Sequence, residues 1–392
     1  MSVAFLRDAH WLGPARTRGY LWLLALLNVA TLAYIVATSR GGVDRNGFLL
    51  GTDFLSFWTA GRMLHGQGEV YDVAAHIAAQ RAYFDHGAAY TAFFYPPPFL
   101  LLCYPLGFLP YFPALIAWLA ATGAAYLALA RLWLRRAGIT RPLWLLAAAF
   151  PPVLITVTHG QTSFLVAALL GLGALWVRER PMLAGLCFGL ATIKPQFGLL
   201  VPLVLLLTGE WRVIVSAALT AIAVGLAATL AFGLDVWSEW LAVSGAAQAA
   251  MNEGAVGFAK MQSAFAAARL LGAPLALAYG LQAAVALAVA ATIAWAAWRR
   301  RYSLALGSAM LVGALLATPF VLDYDMVLLA FPLIWLAGAG YRPWEKIVAV
   351  AAFAAAAFAR PLAIELSVPI MPLVLAALFV VLVRRAAEPR AE

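Results

Sequence analysis

The chain is short of charge. Asp, Glu, Lys and Arg make up 11% of its 392 residues, while 65% are hydrophobic. A soluble domain is about a quarter charged and about half apolar. No soluble core could hide this much apolar surface, so a bilayer must be part of the solvent. Cysteine is also scarce. Cys103 and Cys187 are the only two; both lie in apolar runs, and neither has a metal or redox spacing, so they read as small buried hydrophobes. There is no glycine-rich phosphate loop, G-x-S-x-G elbow, HExxH or cysteine-rich metal motif, which speaks against ATP hydrolysis and the common hydrolase centres. The net charge is +9, but no basic, aromatic-interleaved patch of the sort nucleic acid needs accompanies it. The excess reads instead as Lys and Arg gathered at the cytoplasmic ends of membrane helices. The first fifteen residues are charged and lack a small-residue cleavage site, so no removable signal peptide is expected.

What is present is a series of apolar runs. A span needs about twenty apolar residues. That ruler gives spans near 20–38, 94–110, 111–134, 143–158, 163–177, 182–208, 213–233, 274–298, 303–320, 326–341, 346–361 and 368–384. The expected fold class is an all-α polytopic membrane protein of about twelve helices (ten to twelve), forming one integral membrane domain over 1–392. Arg7, Arg16 and Arg18 suggest a cytoplasmic N-terminus. The clusters Arg299–Arg300–Arg301, Arg342/Lys346 and Arg384/Arg385 fall on alternate turns, which fits the same side. In the middle, twelve simple crossings would put Arg131, Arg135, Arg136, Arg141, Arg178 and Arg180 outside, against the positive-inside pattern. A re-entrant 94–110 together with a broken hairpin at Ile193–Lys194–Pro195–Gln196 would put them inside. Both arrangements keep 40–92 and the Asp323 turn outside. The Ala-, Leu- and Arg-rich composition suggests a bacterium with a GC-rich genome, and hence the plasma membrane.

Two polar segments stand apart, an outer loop at 40–92 and a second at 235–272, the latter carrying Asp235, Glu239, Glu253 and Lys260. In the first, Phe54, Phe57, Trp58, Gly61 and Leu64 recur at helical spacing, as do Ala75, Ala78, Ala79 and Ala82. Both stretches read as short amphipathic helices on the membrane surface.

Asp53 is the sharpest candidate for chemistry. As a helix N-cap it would be unremarkable; beside an apolar aromatic wall, its carboxylate would have a raised pKa and could act as a base. Lys194 lies inside the apolar run LAGLCFGLATIKPQFGLLVPLVLL. A charge at mid-membrane is costly unless it faces a cavity or a partner, and Pro195 breaks the helix there. Lys194 is therefore expected either to face an anionic headgroup or to pair with a carboxylate, with snorkelling to an interface as the plain alternative. His159–Gly160–Gln161 interrupts two apolar segments and could line a cavity or simply turn the chain. Tyr95 opens a YPPP run that sets how the next segment starts. Asp323 and Asp325 flank Tyr324 and could bind a metal, orient a sugar, or only end a helix.

Several stretches resemble the polytopic glycosyltransferases of family 87, the mannosyltransferase group that uses polyprenyl-phosphate mannose. They are DFLSFWTAGRMLHGQGEVYD, YPPPFLLLCYPLGFLP, GQTSFLVAALLGLGAL, AGLCFGLATIKPQFGLLVPLVLL, QSAFAAARLLG and TPFVLDYDMVLLAFPL, in family order between roughly residues 50 and 340. The resemblance implies a GT-C type bundle with its active site at the outer face and Asp53 as catalytic base. Gln161, Lys194 and Gln262–Ser263 match other recurrent positions. Met261 stands where the family often has Asn before the Gln–Ser pair.

The implied chemistry suits the residues. A phosphate leaving group needs little acid help, so one carboxylate can serve an inverting displacement, whereas glycosidases need two. A cation must meet the departing phosphate, and Lys194, Arg62 and Arg81 are available. Tyr95, His159, Gln161, Gln262, Tyr324 and Asp325 complete the expected substrate site, with no metal and no cofactor. The expected partners are a polyprenyl-phosphate sugar donor, a lipid or glycan acceptor and the membrane lipids. Competing readings are a lipid-linked sugar transporter using Lys194, a non-catalytic membrane partner in envelope assembly, and a ligase or polymerase of lipid-linked sugars.

Overall fold

The computed structural model describes residues 3–66, 68–84, 90, 93–298 and 300–388. Among them every regular element is a helix, and β pairing is confined to isolated bridges. Five helices are long and apolar enough to cross a membrane: Pro14–Thr38, Tyr111–Arg136, Trp211–Phe232, Leu275–Ala297 and Glu345–Leu366. At about 1.5 Å per residue each exceeds the roughly 30 Å hydrocarbon thickness.

Other apolar runs are broken, and proline marks the breaks. The 143–158 run divides into Leu143–Ala149 and Pro151–His159, with extended backbone at Phe150. A residue before proline is pushed out of the helical region. The 182–208 run divides at Lys194 into Pro181–Leu190 and Leu200–Thr208, joined by the tight turns Ala191–Ile193 and Pro195–Gly198.

Contacts fix which loops share an end of the bundle. Arg136 pairs with Glu179, Arg178 with Glu210, Arg342 with Glu388, and Arg385 with Glu345. Gly338 abuts Ala137 so closely that a side chain would collide. Arg300 donates to Ala386 O, Trp344 N to Arg7 O and Lys346 Nζ to Ala9 O. These contacts gather the basic clusters at one end. Arg299 lies outside the described residues. At the opposite end, Gly51 N donates to Thr158 O and Asp53 N to His159 O, each at 3.0 Å. Tyr111 Oη donates to the carbonyls of Leu50 and Gly51 at 2.8 Å.

This arrangement decides the middle of the chain. Tyr95 and Tyr111 bracket the 94–110 run, and both touch the Asp53 end. The run therefore enters and leaves on one side; its helix, Pro97–Leu106, is too short to cross. Arg178 and Glu210 bracket the 181–208 hairpin and pair with each other, so it too returns to the end it left. Close approach of Gly185 to Val213 and Ser216, and of Gly189 to Ala217 and Thr220, runs Pro181–Leu190 parallel to Trp211–Phe232. The two ends of 94–110, and those of 181–208, thus lie together, each pair at one end of the helices.

The 40–92 segment differs from expectation in one respect. The Phe54–Met63 helix does not lie on the surface: every residue except Arg62 is buried. The reason is a close helix crossing. A side chain on Gly61 would strike the Cys103 carbonyl, and one on Gly107 would strike the Gly61 backbone. Phe54, Phe57 and Trp58 then pack among Tyr95, Phe99, Tyr111 and Trp118, ring to ring. Each such pair adds about 0.5–1.5 kcal/mol beyond burial. The Val73–Tyr83 helix is capped by Asp72, which accepts from Ala75 N, and leaves Ala78, Arg81 and Ala82 exposed. Residues 67, 85–89, 91 and 92 of this segment lie outside the described residues. The second polar segment, 235–272, is largely helical: it holds Asp235–Asn252 and Ala264–Leu270.

Candidate active site

Asp53 precedes the first turn of Phe54–Met63 but does not cap it. Its backbone is already helical (φ −79°, ψ −25°), and its side chain makes no capping bond. The carboxylate turns inward instead. Gln161 Nε2 donates to Asp53 Oδ2 at 2.9 Å, and Lys260 Nζ stands 3.6 Å from the same oxygen. Gly160, in the left-handed conformation at φ 65°, lets the chain turn sharply and aim Gln161 there; a side chain at 160 would meet Phe54 and Leu115.

Gln161 is the hub. Its Nε2 also donates to Tyr324 Oη at 3.0 Å, and its Oε1 accepts from Thr162 N at 2.8 Å and Tyr95 Oη at 3.0 Å. The buried amide is therefore fully used, which fixes its orientation. His159 Nδ1 lies 2.9 Å from the Ile155 carbonyl, which can only accept. In the neutral ring the proton then sits on Nδ1 and Nε2 is the acceptor. Its ring is 5.7 Å from that of Tyr324.

Behind Tyr324 lies a second, buried layer. Lys194 Nζ donates to Asp325 Oδ1 at 2.9 Å; Ser163 Oγ donates to the same oxygen at 2.7 Å, and Leu322 N to Oδ2 at 3.1 Å. Lys194 therefore meets a carboxylate, one of the two fates expected for it, and Asp325 has both oxygens occupied. Asp323 faces away from Asp325: it accepts from Tyr324 N at 2.9 Å and from Arg360 Nη1 at 3.3 Å. The two carboxylates flanking Tyr324 serve different partners and do not converge on one point. Lys194 and Lys260 both lie 5.2 Å from the centre of the Tyr324 ring, within cation–π range.

The remaining expected residues stand apart from Asp53. Arg62 sits nine residues further along its helix, about 13 Å away at 1.5 Å per residue, and donates to Tyr83 Oη and Gly107 O. Arg81 lies over the Tyr90 ring. Neither cation joins the cluster. Gln262 is buried and its Nε2 donates to the carbonyls of Ala259 and Lys260, so it braces the turn carrying Lys260. Gln262 N donates to Val321 O and Asp323 N donates to Lys260 O, clamping that turn to the extended segment before Asp323. Lys260 was legible only as a loop charge; its place just before the Gln262–Ser263 pair was the available signal.

The charge state of Asp53 differs from the raised value expected. Burial pushes its pKa up, but Lys260, His159, Gln161 and Lys194 outweigh burial and hold it below the ordinary carboxylate value. A lowered pKa favours the ionised form, so the stabilisation is present above about pH 4 and is lost as pH falls through the folded value. An acid limb of the rate set by Asp53 should therefore lie below about pH 4. Lys260→Met should move that limb upward in the pH profile of kcat/KM, which reports the free enzyme; an unmoved limb would mean that Lys260 does not govern this carboxylate in the empty site.

The arrangement is that of a polytopic membrane protein with a buried polar site at the end of its helices, combining a carboxylate, a lysine and an amide hub. The model of glycosyltransferase family 87 matches residues 93–322, more than half of the chain. The chain belongs to that family and is a membrane glycosyltransferase. The match contains Tyr95, His159, Gln161, Lys194, Lys260 and Gln262; Asp53, Tyr324 and Asp325 lie beyond its limits. No curated protein and no solved structure matches.

Proposed function

We propose that the protein transfers a hexose, with mannose favoured by the family resemblance, from a polyprenyl-phosphate sugar to a hydroxyl of a lipid or glycan acceptor. Asp53 is the base. The acceptor hydroxyl gives its proton to the Asp53 carboxylate while its oxygen bonds to the anomeric carbon. The bond from that carbon to the phosphate oxygen breaks on the opposite face, and its electron pair leaves with the phosphate. Attack opposite the leaving group inverts the anomeric centre. The observation that carries this reading is the direction of Asp53, turned from its helix cap into the cluster of Gln161, Tyr324 and Lys260.

The transporter reading is weaker because it needs a free intramembrane charge at Lys194, and Lys194 is paired with Asp325. The donor class is tested by offering the purified protein labelled polyprenyl-phosphate mannose and, separately, a labelled nucleotide-diphosphate mannose. Transfer from the first alone is expected. Transfer from the nucleotide sugar alone would overturn the donor assignment.

With the basic end cytoplasmic, Asp53 faces the outside of a bacterial plasma membrane. The chain then crosses ten times, with 94–110 and 181–208 re-entrant. The native thiols Cys103 and Cys187 are buried, so single introduced cysteines can report the sides. In intact cells an impermeant maleimide should label Asn46→Cys, whereas Thr140→Cys should react only after permeabilisation. Both parent positions are exposed. Labelling of Thr140→Cys in intact cells would reverse the orientation.

A further inference from the structure

Two lysines flank Tyr324, yet they are held differently. Lys194 is almost fully buried and donates to Asp325 at hydrogen-bond distance, within a carboxylate that Ser163 and Leu322 also engage. Pulling Lys194 away would strand a buried Asp325, a costly loss. Lys260 is more exposed and stands 3.6 Å from Asp53, beyond hydrogen-bond length. Its backbone is pinned by the bonds of Gln262 N to Val321 O and of Asp323 N to Lys260 O. The turn before it bends through Gly254 and Gly257, at φ 72° and 84°. The result is a fixed base with a loosely held, long side chain at its tip. Arg62 and Arg81, the other candidate cations, point elsewhere.

We infer that Lys260 is the cation that receives the donor phosphate, and that in moving to it Lys260 releases Asp53 to act as the base. This rests on the donor reading above. In the empty site one ion pair ties up both groups. A bound phosphate competes with Asp53 for the ammonium, and the carboxylate is freed only when a donor is in place. The acceptor proton is thus taken only in the presence of a leaving group, which makes donor-before-acceptor the productive order. The charge balance strengthens the contact during reaction. The donor is a phosphodiester with one negative charge; breaking its sugar bond leaves a monophosphate that carries up to two. Lys260 therefore interacts more strongly with the departing group than with the bound substrate, as catalysis requires.

The test is binding of undecaprenyl monophosphate, the product-like headgroup, to the full-length protein in neutral-lipid nanodiscs. Undecaprenol serves as the tail-only control. Lys260→Met should weaken the monophosphate about tenfold or more and leave undecaprenol unchanged, while Lys260→Arg should retain most of the affinity. Asp53→Asn should tighten the monophosphate about fivefold, because the competing ion pair is gone. In the Lys260→Met background the same Asp53→Asn change should tighten it much less. Unchanged affinity in Lys260→Met, or full tightening by Asp53→Asn without Lys260, would overturn the inference while leaving the donor reading standing. Wild-type protein that binds undecaprenol as well as the monophosphate would overturn both.

Discussion

Asp53→Asn should lower the rate of sugar transfer by about 10²- to 10⁴-fold, the range of a lost general base, with the folded protein intact. The expectation follows from the geometry. Asn has the same shape and its oxygen can still accept from Gln161 Nε2, so the hub keeps its bonds to Tyr95, Thr162 and Tyr324. The helix start is unaffected, because the Asp53 side chain does not cap it. What is lost is the capacity to take a proton. A suitable comparison is Asp44→Asn. Asp44 Oδ1 accepts from Asn46 N and Phe48 N in a turn of the same segment, so that change perturbs the loop without touching the chemistry. Single-turnover rates and thermal melts of both variants in lipid are the measurements. Equal losses in the two variants would mean that the rate reports loop folding.

Lys194→Met should be lost mainly as folded protein. Its partner Asp325 would be left buried with an unmatched charge, at a cost of about 3–5 kcal/mol, a large part of the 5–15 kcal/mol that typically holds a folded protein together. The layer it supports is central. Asp325 fixes Leu322 N and Ser163, and Tyr324 between them presents its hydroxyl to Gln161. The damage should be repaired by removing the second charge as well. Lys194→Met with Asp325→Asn keeps an oxygen to accept from Leu322 N, turns its amide NH2 to donate to the Ser163 hydroxyl, and leaves no unpaired ion. Its melting temperature should return most of the way to wild type. A double variant no more stable than the single one would show that Lys194 stabilises through something other than this pair.

Local features made much of this site legible, and long-range ones hid the rest. Asp53 was conspicuous as an acid opening an aromatic-rich helix, and Lys194 as a charge beside Pro195 in an apolar run. Gln161 followed from the break between two such runs. Each of these signals lies within a few residues of its source. Lys260 had no such signal, because only the clamp between its turn and Val321–Asp323 carries it to Asp53, some two hundred residues earlier in the chain. The inward face of Phe54–Met63 was hidden for the same reason. Its spacing resembled that of a surface helix, and burial depends on the meeting of Gly61 with Gly107. Hydropathy likewise measures how apolar a run is, not whether its two ends return to one side. That the two ends of 94–110, and those of 181–208, lie together therefore emerged only from the contacts of Tyr95 with Gln161, Tyr111 with Gly51, and Arg178 with Glu210.

The central claim is that sugar leaves a polyprenyl phosphate at Asp53, and one assay meets it directly. Purified wild-type and Asp53→Asn proteins, reconstituted in lipid, receive radiolabelled polyprenyl-phosphate mannose and a crude lipid extract as acceptor. The account predicts a new labelled product from the wild type and almost none from Asp53→Asn. Equal labelling by both proteins would contradict it.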